Sequence, residues 1–334
     1  MQKSDETITQ AHFLADWTTD LVTATCRAAT DVMYTDPRAF EFVKIDATGH
    51  LGTKSRVVDI KADSFARSWS VSHPIPGDPG NVVLLTEDVS LPWTEPGEGM
   101  SRCMVRLDPV DGTTLAAGTL ASWATAGVSY RWSRSLARYT LVGAAIATSA
   151  GSVFSYRAKA APRGIIPDRP YGQVSVSRFD NSGLTVPNPQ GFIPRTEDRR
   201  VPEEHLDQGY ADFIAISAAA GTERAKALMD NWPEIMERAK FRTVLAGNPS
   251  ILSALAGRIG TIIDPKRATL HDSIYVLILA AAGWKVYHAE TLQPVNVLAT
   301  FAEGASPSDK ETPMPPVIVT RSLPEWLEER LPSS

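Results

Sequence analysis

Asp108 and Asp111 stand at i and i+3 in RLDPVDGTTLAAG, Arg106 to Gly118, with Pro109 between them and Gly112-Thr113-Thr114 behind them. The preceding run CMVRLD is short, apolar and ends in an acid, so it reads as a strand that delivers carboxylates at its C-terminal end. Pro109 stiffens the turn that follows and Gly112 permits it, so both carboxylates can point to one place. Two anions held that close repel each other, and a hard divalent cation with oxygen ligands is the simplest charge to set between them. The carbonyl of Val110 can add a neutral oxygen. The Thr113 hydroxyl and the amides of Gly112, Thr113 and Thr114 would face the same cavity, where they can hold a water or a phosphate oxygen. An Asp-Pro turn with local hydrogen bonds is the plainer reading of the first two residues, but the Gly-Thr-Thr that follows outweighs it.

The elements around this stretch must position it. Glu6 to Val32 has apolar residues at helical spacing (Phe13, Trp17, Leu21, Cys26), which predicts a long amphipathic helix closed before Pro37. NVVLLTED, Asn81 to Asp88, is a second short apolar run ending in acids. SWATAGVSYRW, TLVGAAIATSA and SVFSYRA continue as β segments, so the first half is a helix followed by sheet. Ala160 to Arg200 is rich in Pro, Gly, Asn and Asp and predicts loops around one strand, QVSVSRF. The seam between two halves, 1–170 and 171–334, falls there. Beyond it the chain alternates: TERAKALMDNWPEIMERAK as helix with a break near Pro233, FRTVLAG as strand, SILSALAGR as helix, GTIID as strand. HDSIYVLILAAAG follows as a buried helix and GWKVYH as strand. Gly304 to Pro316 is a loop, and VIVTRSLPEWLEERL closes as strand plus helix.

Composition narrows the function classes. At 334 residues with 43% apolar side chains, the chain can bury one large core or two ordinary ones. Basic residues number 33 against 38 acids, a balance of −5, so no global field draws it to nucleic acid or anionic lipid. A small anionic ligand would need a local positive site, such as a metal. The start MQKSDETITQ is polar, and VLILAAAG is too short to span a bilayer, which points to a soluble, cytoplasmic protein. Cys26 and Cys103 have no CxxC spacing and read as reduced packing residues. The 6 histidines share no metal spacing, and His271 reads as a hydrogen-bonded neighbour of the site rather than a ligand. There is no GxSxG elbow and no P-loop lysine, which argues against serine hydrolases and NTPases.

DPVDGTT, Asp108 to Thr114, resembles almost letter for letter the central motif of the metal-dependent, lithium-sensitive phosphatases that include inositol monophosphatase, fructose-1,6-bisphosphatase and bisphosphate nucleotidase. In that family an acid-ended strand precedes the motif, and LLTED supplies Glu87 with Asp88 beside it. A third acid opens a late apolar helix, and HDSIYVLIL supplies Asp272. An upstream acid that orients the motif threonine resembles Asp63 in DIKADSF. The ending VIVTRSLPEWLEERL is similar to the family's last strand and helix.

The resemblance implies an α+β fold, a layered αβαβα sandwich of the sugar-phosphatase type, with metals in the cleft between its halves. It implies that Glu87, Asp108 and the Val110 carbonyl hold one Mg²⁺, and that Asp108, Asp111 and Asp272 hold a second, in a site of two or three ions where Mn²⁺ can substitute. Glu87, and Thr113 polarised by Asp63, would orient the attacking water or take its proton. Asp111, Gly112, Thr113 and Thr114 would meet the substrate phosphate. The implied partners are a small phosphorylated substrate and a second copy in a homodimer, with no nucleic acid and no membrane.

The chain also departs from the family's pattern. Leu115-Ala116 stands where an aromatic is usual, His271 where a tryptophan commonly precedes the third acid, and Ala-Ala-Gly-Trp, ending at Trp284, where Glu-Ala-Gly-Gly is usual. Pro265 lies near a position where inositol phosphatases carry a substrate-contacting Glu. These departures argue against inositol phosphate as the specific substrate. Arg242, the Gly247-Asn248 turn and Lys266-Arg267 are placed by order to meet the far end of the ligand, or are surface charge and an ordinary turn. Two functions follow: a Mg²⁺-dependent phosphomonoesterase, or a scaffold that keeps the acids, has lost turnover and binds a phosphorylated ligand or partner. Asp272 itself has a simpler alternative, the capping of its helix.

Overall fold

Leu14, Trp17, Thr18, Leu21, Val22, Thr25, Cys26 and Ala29 recur at three- and four-residue steps and are all buried. They form the inner stripe of helix α1 (Gln2–Thr35), which contains the expected span and ends before Pro37. Phe13, expected on that stripe, is 48% exposed, and Leu14 takes the inward place. The computed structural model describes residues 2–44, 54–78, 80–86, 96–117, 123–159, 170–179, 185–187, 213–217, 230, 233, 241–245, 247–256, 259–265, 267–303, 314–321 and 329.

A short antiparallel pair, β1 (Phe42–Lys44) and β2 (Lys54–Arg56), leads into helix α2 (Val57–Ser72). That helix escapes a sequence reading because its inner stripe is narrow and small: Val58, Ala62, Ala66 and Ser70, four residues apart. Small side chains let it lie against α1, where a wide apolar face is not needed.

Seven strands follow in an order identical to their sequence: β3 (Val83–Leu85), β4 (Cys103–Asp111), β5 (Ala124–Ser133), β6 (Arg138–Thr148), β7 (Ser152–Ala158), β8 (Gly172–Phe179) and β9 (Thr185–Pro187). Only β3 and β4 are parallel, and a short helix α3 (Thr113–Ala117) sits between β4 and β5. β8 and β9 prolong this sheet past residue 170, across the expected seam.

The second sheet has the order β11-β10-β12-β14-β13. Its strands are β10 (Phe213–Ser217), β11 (Phe241–Leu245), β12 (Thr261–Asp264), β13 (Lys285–His288) and β14 (Val317–Thr320). Helix α4 (Ser250–Leu255) precedes β12, while a 3₁₀ turn (His271–Ser273) runs into α5 (Ile274–Ala281), and α6 (Val297–Glu303) lies between β13 and β14.

Period-two alternation sends neighbouring residues of the first sheet to opposite cores. Val105, Leu107, Ala145 and Ala147 join α1 and α2, whereas Met104, Val128, Ala144 and Ile146 join α5 on the other face. All eight residues of α5 are buried, because it is wedged between the two sheets and meets Ile262, Val286 and Val319 on its far side. Among the described residues the layers are therefore α, β, α, β. The helices expected at Thr222–Lys240 and in the C-terminal LPEWLEERL lie almost wholly outside the described residues. Cys26 and Cys103 are buried and unbridged. Among the described residues no helix is long and apolar enough to cross a membrane.

Candidate metal centre

In a regular strand, residues i and i+3 face opposite ways, so Asp108 and Asp111 should not meet. They are brought to one side because β4 carries a bulge. Asp108 pairs with Ala126 of β5 and Asp111 with Ala124, so three steps on β4 match two on β5 and both acids face one side. The sequence led to a turn after Asp108. Instead the strand runs on through Pro109 and Val110 to Asp111. Pro109 fits a bulge because it has no N–H to lose. Its carbonyl accepts a hydrogen bond from the buried Thr125 hydroxyl at 2.7 Å, and the Val110 N–H donates to Asp108 Oδ1 at 3.1 Å. The turn comes one residue later, at Gly112, whose φ of 91° favours glycine.

The other side of the centre comes from the second half. The 3₁₀ turn at His271–Ser273 packs against β4 and β5 and brings Asp272 to the paired acids. Asp272 is not the cap of α5. The Tyr275 N–H, in the first turn of that helix, donates instead to Asn248 Oδ1 at 3.0 Å, and neither Leu270 nor Ser273 makes a side-chain cap. Asn248 is wholly buried and does two further things. Its backbone N–H donates to Asp111 Oδ2 at 2.7 Å, and its Nδ2 donates to the His271 carbonyl at 2.7 Å. Gly247 beside it must be glycine, since a Cβ there would lie 2.4 Å from the Asp272 carbonyl oxygen and 3.1 Å from Asp111 Oδ2. The Gly247-Asn248 turn is thus more than an ordinary turn. It is the clasp between the halves, and its only sequence signal was Gly-Asn-Pro following a strand.

Asp108, His271 and Asp272 each offer a ligand atom within 4.8 Å of the others, with Asp108 and His271 buried and Asp272 half-exposed. Burial, and then the negative charge of Asp272, push the Asp111 carboxyl well above the usual carboxylate range, against the pull of the Asn248 N–H. Acids that resist ionising together, packed with an imidazole, are a donor set suited to a divalent cation. The residues present fit a metal.

The remaining expected residues are less gathered. Asp63 lies on α2 and accepts from Arg67 Nε at 2.8 Å, while Arg67 Nη2 donates to Thr86 at 2.8 Å, the residue just before Glu87. Asp63 Oδ1 is buried with no hydrogen-bond partner, so the orientation of Thr113 by Asp63 is not a hydrogen bond seen here among the described residues. Thr113 opens α3. Glu87 and Asp88, the side chains of Thr114 and Arg242, and Lys266 lie outside the described residues, and Arg267 is exposed.

No family model matches the sequence, and no curated protein matches it. Solved structures do match the fold. CysQ from Bacteroides thetaiotaomicron, a bacterial member of the inositol monophosphatase family, is 14% identical over 93% of this chain and 97% of its own, with a TM-score of 0.52. A Toxoplasma gondii protein assigned as a sedoheptulose-1,7-bisphosphatase is 14% identical over 90% of this chain and 88% of its own, at 0.58. SaIMPase-II with bound inositol monophosphate is 12% identical over 92% of each chain, at 0.52. At such identities the likeness establishes the fold: this chain is an α+β sandwich of the inositol monophosphatase type.

Proposed function

We propose that the chain is a phosphomonoesterase that hydrolyses a small phosphorylated sugar, cyclitol or nucleotide and needs Mg²⁺, with Mn²⁺ able to substitute. The observation that carries this reading is the meeting of three carboxylates, two from a strand bulge and one from the second half, at a site where they cannot all ionise comfortably alone. The shared fold with a structure that binds inositol monophosphate supports the ligand class.

In this reading Asp108, Asp111, Asp272, Glu87 and the Val110 carbonyl hold two or three cations. Bound there, the cations would polarise the phosphoryl group and make a water nucleophilic at neutral pH. The chain's own part is placement. The amides of Gly112, Thr113 and Thr114 receive phosphate oxygens, and the Thr113 hydroxyl orients the attacking water. Glu87 and Asp63 accept the proton relayed from it. The buried Oδ1 of Asp63, without a donor among the described residues, gives that carboxylate the spare acceptor the task requires. The same reading carries a homodimer.

Phosphate release from sugar phosphates, inositol phosphates and adenosine bisphosphate, with and without Mg²⁺, tests the proposal. Activity that depends on the cation and is inhibited by millimolar lithium is expected. Turnover that survives exhaustive chelation overturns it, and ligand binding with no turnover on any of these substrates would favour the binding scaffold.

A further inference from the structure

His271 is the residue at this centre that an all-oxygen Mg²⁺ site does not require. Its side chain is nearly closed off from solvent, at 8% exposure, and Nε2 stands 3.6 Å from Asp272 Oδ1. That separation is too long for a hydrogen bond. It is, however, the spacing of two donors that share one ion: ligands at about 2.0–2.2 Å from a metal sit about 3–3.6 Å apart when adjacent in its shell. Asp108 completes the triplet within 4.8 Å. The His271 backbone is also tied, since its carbonyl accepts from Asn248 Nδ2 and so joins the same clasp that grips Asp111.

We propose that His271 is a nitrogen ligand, with Asp108 and Asp272, to one cation of this centre, and that this one position therefore favours a divalent transition metal, while the oxygen-only positions keep Mg²⁺. The inference rests on the reading of these acids as a cation site and adds the identity of the ion. Nitrogen donors raise affinity for Mn²⁺, Fe²⁺ and Zn²⁺ along the usual order, while Mg²⁺ gains little from leaving oxygen. Replacing Nε2 with an amide oxygen, in His271→Gln, keeps a donor near the same place and removes the preference.

Pulsed EPR on the Mn²⁺-loaded full chain tests this directly. A ¹⁴N coupling on Mn²⁺ is expected, and it should change in the wild-type chain when its histidines are ¹⁵N-labelled, a measurement that needs no variant to fold. In His271→Gln the coupling should vanish, and competition should show Mn²⁺ affinity falling about tenfold or more while Mg²⁺ affinity moves much less. Mn²⁺ that binds the wild-type chain without a histidine nitrogen overturns this proposal and leaves the cation site standing. A wild-type chain that binds neither Mn²⁺ nor Mg²⁺ overturns both.

Discussion

Every pair of neighbours in the seven-stranded sheet is also adjacent in sequence, and from β4 to β9 each pair is antiparallel. The five-stranded sheet instead joins β10 to β12 in parallel and β12 to β14 in antiparallel fashion, across long stretches of chain. The two acids of the first sheet are fixed by the strand itself, through a one-residue bulge that Thr125 pins. The segment that carries the acid of the second half is held through its neighbours, since the His271 carbonyl and the Tyr275 N–H both bond the side chain of a single buried asparagine. One side of the centre is thus built into backbone pairing. The other depends on two side-chain bonds that one truncation would remove.

If that contrast holds, substitutions on the two sides fail differently. Asp108→Asn should have the largest effect on activity, with loss of turnover beyond the roughly hundredfold of a missing outer partner. Its metal-free melting temperature should hold or rise, because repulsion is relieved while the bulge persists. Unfolding of this variant would make Asp108 structural. Asp272→Asn should lose most turnover and weaken Mg²⁺ binding, yet melt within a few degrees of wild type without metal, because Asn248 and not Asp272 caps α5. Wild-type kinetics in this variant would move the active site elsewhere.

Asn248→Ala should reverse the pattern. It deprives the Tyr275 N–H and the His271 carbonyl of buried partners, at a cost of about 2–4 kcal/mol in urea unfolding, with cation affinity lost as a consequence. Stability unchanged by this truncation would refute the clasp. The smallest effect concerns pH. The Asp111 carboxyl is raised to about 7 in the folded, metal-free chain, so its contribution to stability is present at low pH and lost as pH rises towards 7. Relative to Asp111→Asn, the metal-free wild type should lose melting temperature between about pH 4 and 7, and saturating Mg²⁺ should erase that loss. Parallel melting curves across this range without metal would remove the strain assigned to Asp111.

Much of this was legible from residue order. Apolar periodicity is a local pattern and announced most of the helices and strands, while the likeness of the DPVDGTT run and of the acid before the late apolar helix to a known motif set singled out Asp108, Asp111 and Asp272, which the fold gathers at one centre. The bulge was not legible, since a proline between two acids is equally at home in a turn. Helix α2 was hidden by its small inner stripe, which carries almost no hydrophobic signal. The role of Asn248 could not be read at all. Its three partners come from β4, the 3₁₀ turn and α5, and only the folded chain brings them to one residue.

The bond from Asn248 to Asp111 closes a loop of 137 residues, and this has a consequence during synthesis. Contacts this distant form late, after local hairpins have paired. A chain emerging from the ribosome can assemble the meander from β4 to β8 long before residue 248 exists, and domains generally fold in that order. For that interval the bulge presents Asp108 and Asp111 side by side with neither clasp nor third acid. The proposed cation site is therefore completed only when the second half docks, and the charge crowding that raises the Asp111 carboxyl arrives with Asp272 at the same moment.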